Sequence, residues 1–174
     1  LIAKNCIAGK VYNSRWILER AVRDHSLRLD EEKIRGKSRI LADALSNIRS
    51  CDSAATLLGL EGEAASIYFS VFDDLILQQK RDFVFSGRNR RPPTDEVNAM
   101  LSFSYTLLTS MCASALETVG LDPYVGFFHR DRPGRKSLAL DMVEELRAVM
   151  ADRFVLTLIN KKVVTKDGFC QKEN

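Results

Sequence analysis

The feature that most constrains the fold is a long apolar helical pattern that is bounded on both sides. After Pro92-Pro93, apolar residues recur at three- and four-residue spacing as far as residue 119, and Gly120 follows. Prolines do not continue a helix, and glycine commonly follows a helix end. Residues 94–119 therefore predict one long helix capped by Thr94 or Asp95. Its apolar set is Val97, Met100, Leu101, Tyr105, Leu108, Met111, Cys112, Ala115, Leu116 and Val119.

The same spacing recurs along the rest of the chain. It predicts helices over 2–24 and 31–49, the second capped by Asp30. A short helix over 53–58 should stop at Gly59, and a new helix should start at Leu60. We expect Ser137 to cap a last main helix with a kink near residues 151–152. The pattern predicts an all-α, bundle-like fold, with a short β-prone piece at 163–169 near the C-terminal end.

Length and composition indicate a single helical domain over 1–174. With 45% apolar residues in 174, the chain can bury one substantial core. No run of about 18 apolar residues and no signal-peptide pattern appears, which predicts a cytoplasmic protein without a membrane segment. The four cysteines are far apart and are expected to be reduced. Residue 1 is not methionine and helical spacing starts at once, so we expect a piece of a longer protein.

The net charge of +3 is too small to indicate a polyanion partner, but its distribution is uneven. Basic residues cluster in two stretches, 80–91 and 130–136, and both stretches contain prolines or glycines typical of loops. The sequence therefore predicts two basic loops beside a helical domain.

A pair of carboxylates and a histidine could hold a divalent metal. Asp141 and Glu144 are three residues apart, which places them on one helix face, and His129 lies in the loop before that helix. Such an acidic pair is more commonly a solvated helix face, and a histidine beside aromatic residues is more commonly packed. Glu61, in a predicted first turn, is equally explained by the helix dipole. These residues alone leave both readings open.

Three segments in order, GLEG at 59–62, GFFH at 126–129 and SLALD at 137–141, resemble the signature segments of the CRISPR-associated integrase family. The similarity extends through residues 12–16, 62–66, 87–93, 121–126 and 129–134 and is closest to type I-C members. It covers nearly the whole chain. The resemblance implies the helical catalytic domain of an integrase and endonuclease, without the family's N-terminal β-rich dimerisation domain.

In that family a glutamate, a histidine and an acidic residue of the three segments bind the ion. The resemblance therefore implies Glu61, His129 and Glu144 as catalytic ligands of Mn²⁺ or Mg²⁺, with Asp141 ligating or orienting beside them. The implied reaction is transesterification, in which a DNA 3′-hydroxyl end of a protospacer joins a CRISPR array. The implied partners are double-stranded and branched DNA, a small ferredoxin-like companion subunit and, in the full-length protein, a second copy.

Several further residues are candidates for DNA binding under this resemblance. Cationic side chains contact phosphates without reading sequence, and the phenol of a tyrosine could orient a DNA end. The candidates are Arg88, Arg90, Arg91, Arg130, Arg132, Arg147 and Tyr105. A solvated loop, an ion pair between Arg147 and Glu144, and core packing of Tyr105 are the ordinary alternatives. Asn98 could likewise approach the site or complete the helix cap.

Two other classes of function remain open at this point. The same fold could be a DNA-binding scaffold that is inactive without the missing domain. A helical protein-interaction domain would require the acidic and basic clusters to be incidental surface charge.

Overall fold

The computed structural model describes residues 1–89, 92–129 and 132–170, and within them the chain forms helices and no strand. Six α-helices follow one another in this part of the chain, connected by loops, short 3₁₀ turns and, between the fifth and the sixth helix, a π-helical segment. They are α1 (Ile2–His25), α2 (Glu31–Ser50), α3 (Ala54–Phe69), α4 (Glu96–Thr118), α5 (Ser137–Leu146) and α6 (Arg153–Asn160). The all-α, bundle-like prediction is confirmed. The β-prone piece is not a strand, because residues Lys166–Gly168 form a 3₁₀ turn.

Helix α1 is the central helix of the bundle and packs against α2, α3 and α5. The main core combines apolar residues of α1, α2 and α3 with the segment between α3 and α4, the first half of α4 and α6. Its fully buried side chains include Leu18, Ile34, Leu41, Phe72 and Phe83. Two smaller clusters, around Leu108 with Val143 and around Leu116 with Ala139, join α4 to α5.

The predicted helix starts are correct at two places and wrong at a third. Asp30 accepts a hydrogen bond from the Lys33 amide at 3.0 Å, and Asp95 accepts one from the Asn98 amide at 2.7 Å. Ser137 was expected to cap α5 but is its first helical residue. The amides of Leu138 and Ala139 instead donate to the Pro123 carbonyl, at 3.0 and 3.3 Å, so a loop carbonyl satisfies them.

The predicted break at Gly59 is wrong, and this changes the position of Glu61. Helix α3 runs without interruption from Ala54 to Phe69 through both Gly59 and Gly62. Each glycine costs about 1 kcal/mol relative to alanine in a helix, which the burial of Leu57, Ala64 and Tyr68 offsets. Glu61 therefore lies in the second turn of α3 rather than in a first turn, so the helix dipole does not account for it.

The expected kink after α5 is a π-helical segment, Arg147–Asp152, that continues directly into α6. Because π-helical hydrogen bonds link residues five apart, the two ends of this segment, Arg147 and Asp152, come to one side of the helix. Both contact Tyr105 of α4. The segment thus carries two charged side chains to the same aromatic ring.

Helix α4 is the one described helix that is long and apolar enough to cross a membrane by length and composition. Core helices of water-soluble proteins pass the same test. Here α4 packs against α5 and buries part of its apolar side chains together with the polar residues Asn98 and Ser104, while Phe103, Leu107 and Met111 are exposed. Length and composition alone therefore do not identify it as a membrane span. The cysteines are free thiols, three half-buried and Cys170 exposed.

Candidate metal and DNA site

Three separate parts of the chain bring acidic and imidazole side chains together beside α1. Glu61 comes from the middle of α3, His129 from the loop before α5, and Glu144 from the buried face of α5. Glu144 Oε1 lies 4.0 Å from His129 Nε2, and Glu61 and Glu144 are joined through the ammonium of Lys10. The fold thus brings Glu61, His129 and Glu144 to one side of the bundle.

Asp141 binds the loop before α5 that carries His129, here named the histidine loop, which comprises residues 126–129. Its Oδ2 accepts the amides of Phe127 and Phe128 at 2.7 and 2.9 Å, and its Oδ1 accepts the His129 amide at 2.9 Å. The His129 Nδ1 also lies 2.6 Å from Oδ1. Because Asp141 already accepts from three amides, the His129 ring donates to it from Nδ1, and this places Nε2 on the side of Glu144. This geometry makes Asp141 an orienting residue and turns Nε2 toward the site.

Gly126 is required where the histidine loop meets α5. A Cβ at this position would lie 2.7 Å from Ser137 Cβ and 2.9 Å from Asp141 Oδ2. Both distances are far below van der Waals contact, so no larger residue fits without moving the loop. The glycine therefore allows the backbone of 127–129 to approach the Asp141 carboxylate.

Glu144 is nearly buried, at 5% exposure, between two cations. Arg147 Nη2 lies 2.9 Å from its Oε1, and Lys10 Nζ lies 2.6 Å from its Oε2. Burial is the largest influence and raises the pKa of Glu144, but Arg147 and Lys10 together outweigh it and the pKa is lowered overall. Glu144 is accordingly an ionised carboxylate at neutral pH.

The donor set fits a divalent ion, although it is not arranged as a ready cage. Across 1–89, 92–129 and 132–170, no three metal-binding side chains lie close enough together to enclose one. Lys10 stands between the two glutamates instead. The buried Glu144 Oε2 has no hydrogen bond of normal geometry from a described residue, and two glutamates with an imidazole nitrogen form the mixed set that Mn²⁺ accepts. A metal ion could therefore bind both glutamates only after the Lys10 ammonium has moved out from between them.

Arginine and tyrosine side chains line the site on the α4 side. The Arg88 and Arg147 guanidinium carbons lie over the Tyr105 ring, 5.3 and 4.9 Å from its centroid. Arg88 also donates to Asn98 Oδ1 at 2.7 Å and to Ser102 at 3.1 Å. Asn98, fully buried, additionally accepts the Asn89 amide and donates to the Gly87 carbonyl, so it fastens the basic loop to α4.

The other basic candidates are less well defined. The side chain of Arg132 is exposed, as expected for a loop residue. Arg90, Arg91 and Arg130 lie outside the described residues. The DNA-binding role of all these arginines stays a prediction.

Two charged residues of this region were not among the sequence candidates. Lys10 occurs at helical spacing within the buried stripe of α1 that includes Ile7, Val11 and Ser14. Asp152 is 2% exposed and accepts a hydrogen bond from the Tyr105 hydroxyl at 2.5 Å. In both cases the available signal was a charged residue on the apolar face of a helix, a position that is costly unless the charge is paired.

Burial of Asp152 leads to a prediction for stability. Burial raises its pKa from 3.8 to about 6, although the hydrogen bond from Tyr105, the nearby Tyr68 hydroxyl and the charge of Arg147 act in the lowering direction. A carboxyl with a raised pKa in the folded state stabilises the fold when protonated, and this stability is lost as pH rises through the folded pKa. The difference in unfolding free energy between wild type and Asp152→Asn should therefore fall by about 2–3 kcal/mol from about pH 4 to pH 7.

Urea unfolding of both proteins across that pH range measures this difference. Since asparagine does not ionise, the variant removes only the titration of residue 152. A difference that stays constant with pH would contradict the assignment.

The protein is therefore an all-α domain with a candidate metal site of two glutamates and one histidine, and arginine side chains lie beside that site. Residues 1–174 match the family described as CRISPR associated protein Cas1 along their whole length, and the chain belongs to this family.

The chain is similar to known proteins in both sequence and structure. It is 53% identical over 172 residues, 97% of this chain and 50% of the relative, to "CRISPR-associated endonuclease Cas1 2" of Rhodospirillum rubrum. It resembles a "Casposase bound to integration product" with a TM-score of 0.81 and 30% identity, covering 99% of this chain and 46% of that one. A "Partial Cas6-RT-Cas1--Cas2 complex" gives a TM-score of 0.88 at 26% identity, covering 99% and 49%. The chain spans about half the length of the curated relatives it matches.

Proposed function

We propose that this chain is the catalytic part of a metal-dependent DNA integrase and endonuclease that joins protospacer 3′-hydroxyl ends into a CRISPR array. The observation that carries the proposal is the convergence of Glu61, His129 and Glu144, from three distant segments, beside Arg147 and Arg88. Relatives named as CRISPR-associated endonucleases and a casposase bound to an integration product support the activity. The type I-C subtype stays a prediction.

In the proposed mechanism Glu61, His129 Nε2 and Glu144 would hold Mn²⁺ or Mg²⁺. Such an ion, when bound, would supply charge neutralisation at the phosphodiester and would lower the pKa of an attacking hydroxyl or water. Asp141 keeps the Nδ1 proton of His129 in place, so that Nε2 stays turned toward the site. The stacked guanidinium groups of Arg88 and Arg147 present positive charge where a DNA phosphate would approach.

The proposed partners follow from the names of the related structures and from the charge of the site. We propose double-stranded and branched DNA as substrate, with phosphate contacts from the arginines. A Cas1–Cas2 complex among the structural relatives supports a small companion subunit, proposed to be ferredoxin-like. Homodimer formation by the full-length protein and a cytoplasmic location complete the proposal.

Removal of His129 tests this function. Strand transfer of a 3′-hydroxyl end into a branched or linear duplex with Mn²⁺ should fall by about 10²-fold or more in His129→Ala, because the site loses its nitrogen donor. The matched control is His25→Ala, which changes the only other histidine of the chain at the far end of α1. Salt-sensitive DNA binding without any turnover in wild type would instead favour the inactive DNA-binding scaffold.

A further inference from the structure

Lys10 occupies the position between the two glutamates of the proposed metal site. Its ammonium donates a hydrogen bond to Glu61 Oε1 and lies 2.6 Å from Glu144 Oε2. The side chain is 12% exposed, and those of Glu61 and Glu144 are 18% and 6% exposed. One positive charge thus sits against two largely buried carboxylates from two different helices.

The two carboxylates need a cation between them whether or not a metal is present. Like charges held close together in a partly buried site repel, and removing a shared counter-ion leaves them uncompensated. A divalent ion would satisfy the same two oxygens with twice the charge. Lys10 and the ion therefore compete for one position.

Two cations lie beside Glu144, and the Lys10 ammonium can move away more easily than the Arg147 guanidinium. Arg147 stacks on the Tyr105 ring and bonds Glu144 through a planar guanidinium. A lysine ammonium is a point charge on a flexible stem, so it can leave while the stem remains packed. A cavity of about 30 Å³ adjoins it, lined by Lys10, Tyr105, Arg147 and the carboxyl-bearing Asp152. The ammonium has both space and a third carboxyl group close by, that of Asp152.

We propose that Lys10 is a positioning residue that holds Glu61 and Glu144 together as an internal counter-ion and yields its place to the incoming divalent ion. The inference rests on the metal site proposed above. No proton needs to be transferred, because the ammonium moves with its charge. Its functional consequence is that α1, α3 and α5 keep the ligand spacing before the ion arrives, at the expense of some ion affinity.

The test compares wild type with Lys10→Met, which keeps the length of the stem and removes the charge. In EDTA the variant should unfold at a temperature about 4 °C or more below wild type, because two carboxylates lose their counter-ion. Mn²⁺ binding, followed by the electron paramagnetic resonance signal of free Mn²⁺, should be about tenfold tighter in the variant because no ammonium has to be displaced. Saturating Mn²⁺ should therefore raise the unfolding temperature more in the variant than in wild type.

Lys4→Met is the matched control, since Lys4 is on the same helix and its ammonium bonds the Arg49 carbonyl and lies 3.9 Å from Asp52. It should leave Mn²⁺ affinity unchanged. Lys10→Gln serves as a second variant should Lys10→Met fail to fold. If wild type binds Mn²⁺ and the Lys10 variants bind it no more tightly, the metal site stands and the role of Lys10 is overturned. If neither wild type nor variants bind Mn²⁺, the metal site itself is wrong and the inference falls with it.

Discussion

Asp141→Asn should lower the free energy of unfolding by about 2–5 kcal/mol, since an amide group would face two donors that now point at a carboxylate oxygen. Asp141 accepts three backbone amides and the His129 ring nitrogen, and it is 1% exposed. Either orientation of the asparagine leaves two of those four donors against its NH₂ group. Urea unfolding at neutral pH measures the loss.

The same substitution should also weaken Mn²⁺ binding by about 10–100-fold, the usual effect of removing an outer partner of a ligating histidine. The control is Asp122→Asn in the same loop between α4 and α5, because Asp122 is exposed and, among the described residues, accepts one amide, that of Tyr124, at 2.9 Å. The Asp122→Asn substitution should change the free energy of unfolding by less than about 0.5 kcal/mol. Equal effects of the two substitutions would show that Asp141 does not organise the loop.

Glu144→Gln should reduce Mn²⁺-dependent strand transfer by about 10²–10³-fold, since the site loses the carboxylate charge that opposes the ion. It also leaves Lys10 and Arg147, 12% and 14% exposed, with one anionic partner fewer. The unfolding free energy should therefore drop by about 1–3 kcal/mol in the absence of metal. Activity is measured at a temperature well below the unfolding midpoint of the variant, so that the two effects separate.

Glu145→Gln is the control for this substitution. Glu145 is the next residue of α5, is exposed, and lies against Gly9 of α1 rather than in the site. Its replacement should leave strand transfer within about twofold of wild type. Full activity of Glu144→Gln would show that this carboxylate is not a ligand.

Much of the fold could be predicted because its helices carry local signals. Asp30 and Asp95 are caps with a clear geometric requirement, and the long apolar pattern of α4 has few alternative structures. The errors arose where tertiary contacts override local preference. Gly59 lies inside α3, since burial of that helix outweighs the cost of a glycine, and Ser137 needs no capping role because the Pro123 carbonyl supplies the hydrogen bonds.

The candidate site was predictable only in part. Spacing makes Asp141, Glu144 and His129 candidate metal ligands, and the resemblance adds Glu61 and implies that the site is catalytic. Which of these residues would bind the ion and which orients the histidine depends on distances that the sequence does not contain. Lys10 was missed because a lysine on α1 has no motif, and its partners are more than 50 residues away along the chain. A charged residue on an otherwise apolar helix face is the physical signal that would have found it.

Anomalous diffraction from crystals soaked in Mn²⁺ would locate the ion without relying on activity. We predict one site bonded at about 2.2 Å to His129 Nε2 and to carboxylate oxygens of Glu61 and Glu144, with the Lys10 ammonium moved away and Asp141 still bound to His129 Nδ1. An ion held by Asp141 in place of Glu144, or no ion near His129 at saturating Mn²⁺, would contradict this prediction.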